Sequence, residues 1–314
     1  MVWELLDHGE TVVVLDRLST GFDWAVPDAA KLIVGDIGDQ ALVDDILSRY
    51  DVDAIIHFAG SIIVPESVAD PLGYYLNNTV KSRALIECAV RGGVKHFIFS
   101  STAAVYGTPR VIPVPEGEAL EPESPYGRSK LMTEMMLADA AAAHGFTYAA
   151  LRYFNVAGAD PKQRTGQSTR GATHLIKVAC ETATGKRAHM EVFGTDYDTP
   201  DGTCIRDYIH VTDLVNAHYL ALTHLRGGGE SLVANCGYGQ GYSVREVIEA
   251  VKRVSGQDFK VVESGRRPGD PVAIVANPDR CFKVLGWRPA HADLEEIVRH
   301  ALAWEEVLVR RNRV

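Results

Sequence analysis

The chain predicts an α/β fold: a Rossmann-like, doubly wound parallel sheet with a smaller C-terminal α/β substrate domain. Short apolar runs recur through the first half and are continuous rather than alternating, as strands covered on both faces must be. Helical patterns separate the later runs, which is the rhythm of βαβ units. The length, 314 residues with 46% hydrophobic and 23% charged side chains, suits one large α/β unit or two domains.

A helical pattern at Val2–His8 opens the chain. Buried strands follow at Thr11–Leu15, Lys31–Val34, Ala54–Phe58, His96–Ser100 and Tyr148–Tyr153. Helices are expected at Gln40–Arg49, Pro71–Arg91 and Ser124–His144. From Asn155 the rhythm loosens. A Gly- and Thr-rich loop leads to a helix near Ala172–Thr184, a strand near Cys204–Ile209, a helix near Thr212–Leu225 and a strand near Ser231–Asn235. This divides the chain into residues 1–153, with a return segment at about 204–236, and a second domain of residues 154–203 and 237–314. A doubly wound sheet has a central first strand and a Gly-rich turn before its first helix. Val2–His8 has neither before it, so the expectation is a start at an internal methionine of a longer protein, roughly 15–20 residues in.

Composition excludes several classes. A formal net charge of -9 makes a poor non-specific partner for nucleic acid. No stretch has the roughly 18 uncharged apolar residues of a membrane span, and MVWELLDHGE lacks the regions of a signal peptide. Five scattered cysteines without a Cys-x-x-Cys pair read as reduced core residues of a cytoplasmic protein, with no metal site.

Several residues carry chemistry. Asp16 closes the second strand of a Rossmann unit, where a carboxylate accepts both ribose hydroxyls of an adenosine and favours NAD over NADP. Asp also starts turns for its own reasons. Asp36 follows the next strand and can meet an adenine or cap the following helix. The Phe58-Ala59-Gly60 turn ends a strand where a glycine lets backbone approach a cofactor. Asn78, in the next helix, can bond a buried backbone or the cofactor. Tyr126 and Lys130 stand at i and i+4, on one helix face. An ammonium there stabilises phenolate, so the tyrosine can act as a base near neutral pH. With 12 tyrosines in the chain such a pair is weak alone. The hydroxyl run Ser100-Ser101-Thr102 at the preceding strand end makes it far more specific.

These motifs resemble the extended short-chain dehydrogenase/reductases and, within them, the UDP-glucose (UDP-galactose) 4-epimerases. The stretches IIHFAG, DPLGYYLNN, FIFSSTAAVYG, SPYGRSKLMTE, LRYFNVAGA, DGTCIRDYIHVTDL and GRRPGD carry the resemblance over nearly the whole chain. It implies an NAD-binding domain and a UDP-sugar-binding domain, usually as a homodimer. It implies Tyr126 as base, Lys130 on the nicotinamide ribose and Thr102 orienting the sugar 4-hydroxyl. Asp16, Asp36, Ile37, Phe58, Ala59, Gly60, Asn78, Lys130, Tyr153 and Phe154 look like cofactor contacts. Substrate contacts would be Thr102, Tyr126, Asn155, His174, Leu175, Arg206, Arg267 and Asp270. Two diphosphate charges in an acidic protein need fixed cations, and arginine offers them bidentate geometry.

The sequence departs from the family at five places, one of them His174-Leu175, where relatives often have Asn-Leu. The Gly-rich turn is absent. Ile62 stands where relatives have Lys, Thr102 where Ser is common, and Ile274 where some place a Tyr that narrows the sugar pocket. The implied reaction is NAD-dependent 4-epimerisation of a UDP-hexose through a transient 4-keto sugar. A 4,6-dehydratase needs an acid/base pair where Ala103 and Ala104 stand. A 4-epimerase of UDP-N-acetylglucosamine, a UDP-pentose or a UDP-uronic acid stays open through Ile274. A catalytically impaired nucleotide-sugar-binding protein stays open through the missing turn.

Overall fold

The computed structural model describes residues 1–267 and 269–311; Pro268 of the GRRPGD stretch and residues 312–314 lie outside them. Helix α1 (Val2–Asp7) leads to β1 (Val13–Asp16), β2 (Lys31–Val34), α2 (Gln40–Arg49) and β3 (Ala54–His57). Helices α3 (Val64–Ala69), α4 (Pro71–Tyr74) and α5 (Lys81–Arg91) precede β4 (His96–Thr102). Then come α6 (Pro125–His144), β5 (Thr147–Tyr153), β6 (Asn155–Ala157), α7 (Leu175–Ala183), β7 (Met190–Phe193) and β8 (Ile205–His210). The rest is α8 (Val211–Arg226), β9 (Leu232–Cys236), β10 (Gly241–Ser243), α9 (Val244–Ser255), β11 (Val261–Ser264), β12 (Ala273–Ile274), α10 (Asp279–Leu285) and α11 (Leu294–Arg311).

Strands β3, β4, β5 and β9 form a parallel sheet in that order. Its centre is dry: Phe97, Ile98 and Phe99 of β4 and Ala149, Ala150 and Leu151 of β5 are buried. One face packs on Leu214, Ala217 and Ala221 of α8, the other on Leu85 of α5 and Leu137 of α6. That is the two-sided cover which the unbroken apolar runs require. A second, mixed sheet has the order β10-β8-β12, with β6 also paired to β8. Strands β7 and β11 form a separate parallel pair.

The first sheet is not continuous with β1 and β2. Those two pair with each other, and neither bonds to β3. Between β1 and β3 lies a cavity of about 590 Å³, lined by Val13, Val14, Ala54, Ile56, Leu5 and Leu222 among others. The helix expected at Pro71–Arg91 is also interrupted. Residues Tyr75–Val80 form a π-helical turn between α4 and α5, a form found mostly as single turns at functional sites.

Local chemistry explains where α6 begins. Ser124 accepts the Gly127 N–H, and Pro125 takes the first helical position, where its missing donor costs nothing. The first turn is pressed onto the residues following β4. A Cβ built on Gly127 would sit 2.5 Å from the Ala104 carbonyl oxygen and 3.0 Å from Pro122 Cβ. Only a residue without a side chain lets Tyr126 come this close to the end of β4. Gly127→Val forces the helix off its seat. Equilibrium denaturation is expected to show a loss of about 1–3 kcal/mol; unchanged stability would mean that the helix does not rest on this turn.

Candidate active site

Two elements bring the hydroxyl run and the Tyr-x-x-x-Lys pair together. Strand β4 ends at Thr102, and α6 begins beside that end, so Tyr126 and Lys130 in its first two turns face the sheet's carboxyl edge. Tyr126, Lys130 and Thr102 are all buried. The Lys130 ammonium donates to the Ser100 carbonyl at 3.0 Å and lies 4.9 Å from the centre of the Phe99 ring. Among the described residues Ser100 is its one protein acceptor, so its other N–H groups are available to a ligand. Thr102 accepts the Ala104 N–H at 3.1 Å, which fixes its hydroxyl at the strand end. Tyr153 pairs in register with Thr102, and its phenol shares a 2.5 Å hydrogen bond with the Ser100 hydroxyl.

Burial sets the protonation of these groups. It pulls the Lys130 ammonium down to about 8, against a smaller opposing pull from Glu134. Tyr126 moves the other way. Burial pushes its phenol above the ordinary tyrosine range, with only the Thr102 hydroxyl favouring phenolate. The expectation that Lys130 by itself brings Tyr126 toward neutrality is therefore corrected: burial dominates, and the phenol is raised.

The cofactor candidates converge at two places. Asp16, Asp36, Ile37, Phe58, Ala59 and Gly60 line one pocket of about 180 Å³ at the ends of β1, β2 and β3. Asp16 also accepts the Leu18 N–H at 2.6 Å, the turn chemistry that competes with the ribose reading. Asp36 is partnered by Lys81 and Arg17. It does not cap α2; Asp39 does, by accepting the Leu42 N–H. Beyond that pocket, a Cβ added to Gly60 would stand 3.1 Å from Asn78 Oδ1 and 3.7 Å from Lys130 Nζ. Asn78 bonds both backbone groups of Ser61 and the Ser129 hydroxyl. The residues present fit a dinucleotide at both ends, a carboxylate pocket for one nucleoside and a cradle beside Lys130 for the other. Among the described residues no Gly-rich turn stands between them to meet a pyrophosphate.

The substrate candidates fall into two groups. Asn155, His174 and Leu175 line a cleft floored by Tyr208 and Trp304. His174 is held by Gln167 at 2.8 Å, and burial lowers its pKa, which favours the neutral ring. Arg206 and Asp270 approach to 3.7 Å on the far side of β8. Arg206 is mostly buried, with a side chain 12% exposed, whereas the exposed Arg267 lies 3.6 Å over the Phe193 ring. Ile274 pairs with Arg206 across β12 and β8 and packs with Phe154 and Ala103, so it stands between the arginine and the strand-end hydroxyl.

Sequence reading missed a buried polar group beneath this site. Glu134, at the i+8 position from Tyr126, binds Arg152 through three contacts of 2.6–3.2 Å and also accepts from the Ser101 hydroxyl. The signal was an i+4 continuation of the Tyr-Lys face, YGRSKLMTE, ending in a carboxylate on a buried stripe.

Known proteins are similar to this chain over nearly its whole length. A profile described as the NAD dependent epimerase/dehydratase family matches residues 1–237. The UDP-glucose 4-epimerase of Azospirillum brasilense is 56% identical over 97% of this chain and 87% of its own length. A crystal structure of UDP-glucose 4-epimerase from Brucella ovis in complex with NAD is 45% identical, with a TM-score of 0.93 over 96% of this chain and 93% of that one. One from Bifidobacterium longum in complex with NAD+ and UDP is 36% identical, with a TM-score of 0.92 over 97% of this chain and 93% of that one.

The protonation argument can be checked without substrate. Tyrosinate absorbance titrated to about pH 10 is expected to superimpose for the wild type and Tyr126→Phe, because the buried phenol stays neutral. One extra phenolate in the wild type near neutral pH would contradict it.

Proposed function

We infer that this chain, which belongs to the NAD dependent epimerase/dehydratase family, interconverts UDP-glucose and UDP-galactose at C4 with the help of bound NAD. The observation that carries the site assignment is the meeting of Tyr126, Lys130 and Thr102 at the carboxyl end of β4, where ligands bind in open α/β sheets. Bound NAD supplies the two-electron acceptor that takes hydride from the sugar C4 and gives it back to the other face of the ketone.

The protein's own residues do the rest. Tyr126 takes the proton of the 4-hydroxyl and returns it after the sugar has turned. Thr102 shares that hydroxyl and holds it toward the phenol. Lys130 turns its spare donors to the cofactor's ribose, and its charge lowers the cost of forming phenolate next to it. A cationic ring close by would add to that effect and bring a phenol raised by burial toward a usable base. Arg206 and Arg267, with Asp270 for ribose hydroxyls, anchor the UDP while the sugar turns. Asn155, His174 and Leu175 face the diphosphate from the second domain. Anchoring a remote group lets the reacting part move without leaving. Asp16, Asp36, Ile37, Phe58, Ala59, Gly60 and Asn78 form the cofactor's side, and Tyr153 and Phe154 border the nicotinamide. In this division the NAD-binding part is residues 1–153 with a returning segment at about 204–236, and the UDP-sugar part is the remainder.

We place the protein in the cytoplasm, as a homodimer. Five free, buried cysteines support a reducing compartment; Cys236 and Cys281 stand 3.7 Å apart and unjoined. No described helix is long and apolar enough to cross a membrane. The dimer reading rests on an exposed apolar face. Leu72, Leu76 and Val80 repeat every fourth residue along α4 and the π-helical turn, at 78%, 56% and 53% exposure. Met132 and Met135 of the adjoining α6 extend the face at 40% and 58%. Two such helix pairs can cover each other isologously.

Two outcomes are expected. Tyr126→Phe lowers turnover by about 10²- to 10⁴-fold, while calorimetry shows UDP binding unchanged, because the phenol acts only on the proton. Wild-type turnover in that variant would remove Tyr126 as base. Leu76→Glu gives a monomer in sedimentation velocity; an unshifted dimer would put the interface elsewhere.

A further inference from the structure

The catalytic lysine has a charge problem that its own contacts do not solve. Lys130 is buried and donates to one neutral carbonyl. The groups near it are His57 from β3, Phe99 from β4 and Asn78 from the π-helical turn, with Tyr126 and Glu134 one turn to either side on α6. Burial drives His57 strongly toward the neutral ring, to about 3. Glu134 is the one carboxylate among these groups. It stands one helical turn beyond Lys130 and makes no direct ion pair with it among the described residues.

The reason is visible in its bonds. One Glu134 oxygen is held by the Arg152 Nε at 3.0 Å and by the Ser101 hydroxyl, and the other by Arg152 Nη2 at 2.6 Å. Arg152 is fixed in turn. Its Nη1 donates to the Tyr106 phenol at 3.0 Å, and Tyr106 donates to Asn235 at 2.7 Å. The carboxylate thus stays near Lys130 but cannot swing onto it. A buried ammonium with a carboxylate directly on it would have its donors used up. One with no carboxylate near it would hold its proton less firmly.

We propose that Glu134 is a positioning residue for the reaction: pinned by Arg152 and Ser101, it keeps Lys130 an ammonium whose donors point to the cofactor. This rests on the reading of Tyr126 and Lys130 given above. It adds that the Tyr-x-x-x-Lys pair works here as a three-member face, Tyr126, Lys130 and Glu134, two turns long. A fixed negative charge one helical turn away favours the protonated lysine.

The test uses the full chain loaded with NAD. Glu134→Gln removes the charge but leaves Arg152 unpaired, which can unfold the protein. The paired Glu134→Met, Arg152→Met variant removes both charges and keeps the volume, and Glu134→Asp keeps the charge. Two quantities are read: the pH profile of kcat, and the Lys130 titration by lysine-selective ¹⁵N NMR, identified by its absence in Lys130→Met. In Glu134→Gln the alkaline limb of kcat and the NMR titration are both expected to move toward acid by roughly one pH unit, and by less in the double variant, which removes the opposing Arg152 charge as well, while Glu134→Asp leaves them near the wild type. An uncharged variant that is folded by circular dichroism, with both curves on the wild-type ones, overturns the proposal. So does recovery of the wild-type pH profile whenever stability is recovered, because a mere structural tie would behave that way. The NMR curve does not depend on turnover, so it separates failure of this proposal from failure of Tyr126 as the base.

Discussion

A lysine ammonium taken out of water without a carboxylate upon it is the constraint around which this molecule is arranged. Such a group is costly, and it escapes the cost by dropping its proton unless the surroundings hold the charge. Three features do so here: the Ser100 carbonyl, the face of Phe99 and a carboxylate one turn away. Each comes from a different part of the fold. The carbonyl needs β4 to run past the point where its neighbour β3 stops. The ring needs β4 sealed between two helix layers. The carboxylate needs α6 in one register only.

That register explains features that look unrelated. The absent side chain at Gly127 lets the first turn of α6 sit on the chain leaving β4. Ser129 reaches from α6 to Asn78, and Asn78 closes on Ser61, so the helix is tied to the loop after β3 as well. Arg152 ties the second turn and beyond to β5. The π-helical turn at Tyr75–Val80 places Asn78 inward toward α6 while Leu76 and Val80 stay outward. One helix thereby carries the reacting phenol on one side and an apolar face on the other.

Much of this was legible in the residues. The continuous apolar runs located β2 without error and β3, β4 and β5 to within two residues, because a strand buried on both faces leaves no polar position to blur its ends. Tyr126 and Lys130 were legible because a helix makes spacing into adjacency. The pairing of Glu134 with Arg152 was not, since the two lie on different elements and sequence carries no trace of which buried charges meet. The cap of α2 was offered to Asp36, whereas Asp39 holds it; both are acidic, and only the path of the backbone chooses between them. The protonation of Tyr126 was misjudged for a related reason. Spacing reveals the ammonium, but it does not reveal how much water the fold removes from the phenol.

At the centre of this reading, the sugar carbon gives its hydride to bound NAD while these residues move the proton, and the hydride then returns to the other face. UDP-galactose bearing deuterium at C4, incubated with the NAD-loaded protein in ordinary water, tests it most directly. The account predicts UDP-glucose that keeps the deuterium at C4, formed more slowly than from unlabelled substrate by a primary isotope effect. Deuterium lost to the solvent, or turnover with no isotope effect and the label at another carbon, would contradict it.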